Sequence, residues 1–194
     1  MGRFLLVRHG ESEANRLHVF ASDDTPLTET GREQAREVAE KLAARFTPDL
    51  VVSSKFCRAE QTARIIAGRL GLPLEIVPAL HERDFGWLIG KTYEAFGQLI
   101  ANDPSYDAQH PWTWAPPEGE TVEHVRDRVL EALEKLRAEH PAATIVVVCH
   151  GIVMQTLWAH LTGTWEGAEI PKNCAVIQVE HDESGFHLDV RECV

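Results

Sequence analysis

Two apolar runs constrain this chain more than any other feature. Phe4-Leu5-Leu6-Val7 leads straight into Arg8-His9-Gly10-Glu11, and Thr144-Ile145-Val146-Val147-Val148 leads into Cys149-His150-Gly151. A continuous apolar run of this length suits a strand buried on both faces of a parallel sheet. In both runs the polar residues fall just past the carboxyl end, where open α/β sheets hold their ligands. The glycine after each histidine permits a sharp turn and a close approach to the backbone. Either stretch alone reads as a strand and a turn. Side by side in one sheet, the two would place two imidazoles in one crevice.

The rest of the chain alternates in a way that supports such a sheet. The segment 11–24 reads as a polar, irregular loop. Thr28 is the expected N-cap of a helix whose Ala35, Val38, Ala39, Leu42 and Phe46 share a face, with Pro48 as its stop. Leu50-Val51-Val52 is a short buried strand, followed by Ser53-Ser54 and a helix from about Lys55 to Leu70, ended by Gly71. Leu74 to Val77 is the next strand. A charged loop then carries Glu82 and Asp84, and Tyr93 to Ala101 forms a short helix. The segment 103–117, with four prolines and Trp112 and Trp114, reads as a flap; surface packing is the competing reading for its tryptophans. Thr121 starts the longest helix, and 175–179 with 186–190 forms a closing antiparallel pair. The expected architecture is three-layer α/β/α, a mostly parallel sheet with an antiparallel edge, in a single domain over 1–194.

A formal net charge of −11 argues against a nucleic-acid or anionic membrane partner. No leader and no apolar run near the ~20 residues of a membrane span is visible. Cys57, Cys149, Cys174 and Cys193 are widely spaced without a CxxC pattern, which suits reduced thiols in a cytoplasmic protein. The expected state is a monomer or homodimer.

The strand and helix starts bring Arg8, His9, Asn15, Arg58, Glu82 and His150 together. Arg58 lies in the first turn of its helix, where the dipole disfavours a cation, so an anion at the strand end would account for it. Two guanidiniums can grip phosphoryl oxygens through paired, charge-assisted bonds. A neutral imidazole is a competent nucleophile near pH 7. A carboxylic acid can protonate a leaving alkoxide, and a second histidine can donate to equatorial oxygens. No metal or other cofactor is required. A zinc site from His9, His150, Cys149 and Glu82 lacks any known short ligand spacing. Asn15 is also able to cap a turn, Glu82 to be a solvated loop carboxylate. Arg16 and Arg83 are expected to be solvent-exposed, and His81 is given no role.

Arg8-His9-Gly10-Glu11 with Asn15 resembles the signature of the histidine phosphatase superfamily, in its phosphoglycerate-mutase-like branch. The resemblance runs in order through Pro26-Leu27-Thr28-Glu29-Thr30-Gly31, Ser53-Ser54 to Arg58-Ala59-Glu60, Leu80-His81-Glu82, Glu118-Gly119-Glu120-Thr121 and Cys149-His150-Gly151. It implies that His9 becomes a phosphohistidine, that Arg8, Arg58 and His150 form the phosphate pocket, that Glu82 donates the proton and later activates water, and that Asn15 binds phosphate. Gly151 and Ser22 are further candidate contacts. Where family members commonly carry glutamine or threonine and then glycine, this chain has Ala21-Ser22, a departure in the substrate-binding loop. The implied activity is hydrolysis of a small phosphorylated metabolite. The alternatives are phosphoglycerate mutase-type phosphoryl transfer and a non-catalytic module that binds a phosphorylated ligand. The short span between Glu82 and Glu118 favours hydrolysis.

Overall fold

The computed structural model describes residues 1–189. Val190, the expected end of the last strand, and Cys193 lie outside the described residues. Gly2–Arg8 (β1), Leu50–Ser53 (β2), Leu74–Ile76 (β3), Thr144–Cys149 (β4), Val176–Asp182 (β5) and Gly185–Asp189 (β6) form one sheet in the order β3-β2-β4-β1-β5-β6. β1 and β4 are parallel neighbours, with Arg8 opposite Cys149. β2 is parallel to β4 and to β3, whereas β5 runs antiparallel to β1 and β6 to β5. The sheet is therefore parallel with an antiparallel edge, as expected.

The apolar runs are continuous because both faces of the sheet are covered. Phe4, Leu6, Val52 and Val147 face Val122–Glu139 (α5) and Gly151–Thr162 (α6), where Val129, Leu133, Met154 and Leu157 are buried with them. Leu5, Val7, Val51 and Val146 face Glu29–Arg45 (α2) and Cys57–Leu70 (α3), packed on Val38, Leu42, Ala63 and Ile66. Successive side chains of a strand point to opposite faces, so a run without polar interruption is the mark of a strand sandwiched between two helical layers.

Caps set the helix ends. Thr28 accepts a hydrogen bond from the Gly31 amide at 3.0 Å, and Thr121 one from the His124 amide at 3.1 Å. Gly71 closes α3 in the left-handed region, at φ 68°.

Four expectations need correction. The segment 11–24 is not wholly irregular: Glu13–Leu17 is a short helix (α1), started by a capping box between Ser12 and Asn15. α3 begins at Cys57, two residues later than expected, because the Phe56 amide donates to Ser54 Oγ (3.2 Å) before the helix starts. Phe46 lies past the end of α2 in extended backbone, though it still packs on the core. Arg83 is buried, not solvent-exposed. Its guanidinium donates from Nε to the Glu120 carbonyl and from Nη2 to the Trp114 carbonyl, both at 2.8 Å, and packs over the Phe85 ring.

The expected short helix is present as Tyr93–Asn102 (α4). In 103–117 the tryptophans pack on protein. Trp114 is buried and donates from Nε1 to Asp103 (2.9 Å), and Trp112 stacks on Trp165 with ring centroids 5.6 Å apart. Among the described residues, no helix is long and apolar enough to cross a membrane, and Cys57, Cys149 and Cys174 are free thiols.

Candidate active site

The parallel pairing of β1 and β4 ends with the His9 amide donating to the Cys149 carbonyl at 3.0 Å. The two residues that follow the strands are thus adjacent, and the rings of His9 and His150 lie 5.2 Å apart between centroids. Gly10 makes the next turn possible. A Cβ on Gly10 would strike the Gly31 carbonyl, and one on Gly31 the Glu11 carbonyl. Two glycines therefore let α2 start directly against the turn that carries His9.

His9 has one ring nitrogen tied to the backbone. Its Nδ1 lies 2.7 Å from the Gly10 carbonyl, which can only accept, so the proton of the neutral ring sits on Nδ1. Nε2 then carries the lone pair, and Arg58 donates to it from Nε at 3.3 Å. Burial, followed by the positive charges of Arg58 and Arg8, holds the His9 pKa well below the usual imidazole range. The ring is neutral at pH 7, and its unprotonated nitrogen is the one not tied to the backbone.

Arg58 is 2% exposed and is fixed by a second bond, from Nη1 to the Ser22 carbonyl at 2.8 Å. Ser22 thus meets the site through its backbone, while its hydroxyl bonds Asp24 and Thr25 within its own turn. Arg8 reaches across the start of α6. Its Nη1 donates to the Pro171 carbonyl at 2.5 Å, and its Nε is buried with no hydrogen-bond partner among the described residues. A Cβ on Gly151 would press on Ile170 Cγ2 at 2.7 Å and meet the Arg8 guanidinium at 3.5 Å, so glycine there leaves room for the arginine.

Glu82 is held at both oxygens. The Arg83 amide donates to Oε1 (2.8 Å) and the Ile152 amide, in the first turn of α6, to Oε2 (3.3 Å). A carboxylate at a helix N-terminus faces the positive end of the dipole. The loop behind it is fastened by Arg128, which donates to the Glu82 carbonyl at 3.2 Å and pairs with the buried Glu120 carboxylate at 2.8 Å.

His150 is fully buried behind His9, and its Nε2 shares a proton with Ser54 Oγ across 2.8 Å. Its Nδ1 has no partner among the described residues, and burial holds its pKa well below the usual range, helped by Arg58 and His9. Asn15 faces the cavity but spends its Oδ1 on Ser12 and on Asn173 Nδ2 (3.2 Å). It therefore caps a turn and borders the site at once.

Arg8, His9, Arg58, Glu82, Asn15 and Gly151 line one cavity of about 300 Å3, whose remaining wall is mainly apolar. His150 and Ser22 do not line it. Residues not singled out from sequence also shape it: Asn173 donates to the His9 carbonyl (2.9 Å), Thr62 accepts from the Gly10 amide (3.1 Å), and Arg83 borders the pocket. Thr62 lies one helical turn after Arg58, and that i+4 spacing was the available signal. Asn173 lies in a loop whose spacing carries none.

Taken together, these groups can bind a tetrahedral dianion between two guanidiniums and offer it a neutral imidazole nitrogen and a carboxyl group. Residues 4–193 match the model of the histidine phosphatase superfamily (branch 1). The chain is 33% identical over 159 residues to the uncharacterized phosphatase PhoE of Bacillus subtilis (strain 168), covering 81% of this chain and 76% of that one. It is 30% identical over 191 residues to a 2,3-bisphosphoglycerate-dependent phosphoglycerate mutase of Parvibaculum lavamentivorans, covering 93% and 91%. The solved structure of YhfR from Bacillus stearothermophilus superposes with a TM-score of 0.87 at 31% identity, over 100% of this chain and 98% of that one. With the family model spanning nearly the whole sequence and the fold shared, this chain belongs to the histidine phosphatase superfamily.

Proposed function

We propose that the protein is a metal-independent phosphatase that hydrolyses small phosphomonoesters through a phosphohistidine on His9, acting in the cytoplasm. His9 Nε2 attacks phosphorus, the P–N bond forms and the P–O bond to the alcohol breaks. Glu82, in its acid form, gives its proton to the leaving oxygen. Water then attacks the phosphohistidine, Glu82 takes its proton, and the P–N electron pair returns to Nε2. The products are the alcohol and inorganic phosphate. Arg8 and Arg58 hold the phosphoryl oxygens throughout, and His150, packed behind His9 with Nδ1 unpartnered among the described residues, turns that N–H to them as charge builds.

The observation that carries this reading is the tautomer of His9. The Gly10 carbonyl ties up Nδ1 and leaves a lone pair on Nε2, beside the guanidinium that would hold the target. Hydrolysis is further supported by a second opening that shares Glu82 and Arg58 and whose lining includes Asp23, Asp24 and Asp84. It offers water a route to the carboxylate.

Transfer between phosphoglycerates is the second reading, favoured by the similarity to the Parvibaculum mutase. One set of assays separates the two. Incubation with a radiolabelled phosphomonoester should leave an acid-labile, alkali-stable phosphoryl group on the protein, absent in His9→Ala, together with steady phosphate release. Isomerisation of 3-phosphoglycerate that depends on 2,3-bisphosphoglycerate and outpaces hydrolysis would favour the mutase. Binding without label or turnover would refute both.

A further inference from the structure

The cavity over His9 is lined by two unlike kinds of residue. Beside Arg8, Arg58 and Glu82 the wall is Val19, Phe20, Phe85, Tyr93, Phe96 and Ile152. The aromatic rings form one connected surface. Phe20 lies 4.4 Å from Phe85 between centroids and 5.2 Å from Tyr93, edge to face with the tyrosine, and Phe96 follows at 6.2 Å. Tyr93 remains 44% exposed, so this is wall at the mouth of a pocket, not closed core.

The polar groups among these residues are few, and two of them are partly engaged. Asn15 Oδ1 accepts from Ser12 and Asn173, and Arg83 gives Nε and Nη2 to the Glu120 and Trp114 carbonyls. A leaving group rich in hydroxyls would give up its water here for few replacements, because the wall is mainly apolar. The second opening beside Glu82 is not the alternative seat. His9 and Arg8 border the apolar cavity and not that opening, and the phosphoryl group has to touch His9.

We infer that the preferred substrates are phosphomonoesters of a small apolar alcohol or phenol, whose hydrocarbon part lies on the Phe20–Phe85–Tyr93–Phe96 surface. This rests on the phosphatase reading and narrows it to a substrate class. A cavity of about 300 Å3 is at the small end for ligand sites, so the hydrocarbon is the size of one ring or a short chain.

The test uses the intact protein and two matched series. In the first, kcat/KM is measured for methyl, ethyl, propyl, butyl and 2-phenylethyl phosphate, and for glycerol 1-phosphate and 3-phosphoglycerate, with His9→Ala as blank. These esters leave as alkoxides of similar basicity, so differences report contacts, not leaving-group chemistry. We expect a rise of about fourfold per methylene, and 2-phenylethyl phosphate ahead of glycerol 1-phosphate by about 10- to 100-fold. Tyr93→Ser, at a half-exposed site that should tolerate it, and Phe20→Ala should each shrink the ratio of phenylethyl to methyl ester. In the second series, binding of the corresponding alkylphosphonates, which cannot be hydrolysed, is measured by calorimetry.

Turnover that is flat along the series, or better with the polar esters, would overturn the apolar substrate class and leave the phosphatase reading standing. Absent turnover with phosphonate affinity still rising along the chain would refute the phosphatase and uphold the apolar site. Flat phosphonate affinity would overturn the inference whatever the turnover.

Discussion

Arg58 donates from Nε to His9 Nε2 across 3.3 Å while its Nη1 is fixed to the Ser22 carbonyl. One guanidinium therefore holds both the lone pair of the proposed nucleophile and the loop beside it. A lysine could keep the charge but not the fork. Arg58→Lys is expected to lower kcat for phosphomonoester hydrolysis by about 10²- to 10³-fold, the range for losing a fixed donor to a developing charge, with the far-ultraviolet dichroism unchanged. Activity within tenfold of the parent would show that charge alone suffices.

Glu82 sits with one oxygen on the Arg83 amide and the other on the Ile152 amide. A glutamine there keeps one acceptor and loses the acid. The expected signature is selectivity by leaving group: Glu82→Gln should lower kcat/KM for alkyl phosphates by about 10²- to 10⁴-fold. It should touch p-nitrophenyl phosphate far less, because p-nitrophenolate departs without a proton. Equal losses on both substrates would remove Glu82 from the proton-transfer role and leave Asp84 as the next carboxylate to replace.

What could be read ahead of the structure follows from how far each cause reaches along the chain. β1 and β4 were legible because burial on both faces imposes an unbroken apolar run, and the caps at Thr28, Thr121 and Gly71 because capping is local. His9, His150 and Arg58 were legible because strand ends and first helical turns converge in a parallel sheet. α1 was hidden because its capping box pairs Ser12 with Asn15, not with the usual glutamate or glutamine, in an otherwise polar stretch. Arg83 was misread because the groups that satisfy it are two backbone carbonyls, of Glu120 and Trp114, that only the fold brings to it. The apolar cavity wall was invisible for the same reason. Phe20, Phe85, Tyr93 and Phe96 belong to three separate segments and share no period.

Glu120 and Arg128 are a buried pair that fastens the Glu82 loop. The carboxylate takes Arg128 at 2.8 and 3.0 Å and the Asp84 amide at 3.2 Å. Burial pushes the Glu120 pKa up, but the Arg128 bonds and charge outweigh it and the net shift is downward. Breaking such a pair from one side strands the other charge, at a cost of about 3–5 kcal/mol. Glu120→Ala should therefore lower the unfolding free energy by that amount, read by tryptophan fluorescence as a drop in the urea midpoint multiplied by the m-value. Arg128→Met in the same background should recover part of it, because the stranded charge is then gone.

The buried histidines set a direction for stability against pH. His9 and His150 are held below the usual imidazole pKa by burial and then by Arg58, and His181 by burial and then by Arg137. His181 is fully buried against Phe4, with neither ring nitrogen bonded to a partner among the described residues. In the unfolded chain all three would titrate near 6.5. A depressed folded-state value means that the unfolded chain binds more protons in this window, so folding stability must fall as the pH drops below about 6.5. Each histidine contributes a slope of at most about 1.4 kcal/mol per pH unit. Urea unfolding at pH 7.5, 6.5, 5.5 and 5.0 should show this decline, and His181→Leu should make it shallower by removing one titrating group. Inorganic phosphate should oppose the decline, since an anion between Arg8 and Arg58 screens the charges that oppose protonation of His9. In proton resonance titrations without phosphate, the His9 and His150 ring signals should stay flat from pH 8 to 6. A His9 signal with a midpoint near 6.5 would contradict the neutral nucleophile on which the proposed chemistry depends.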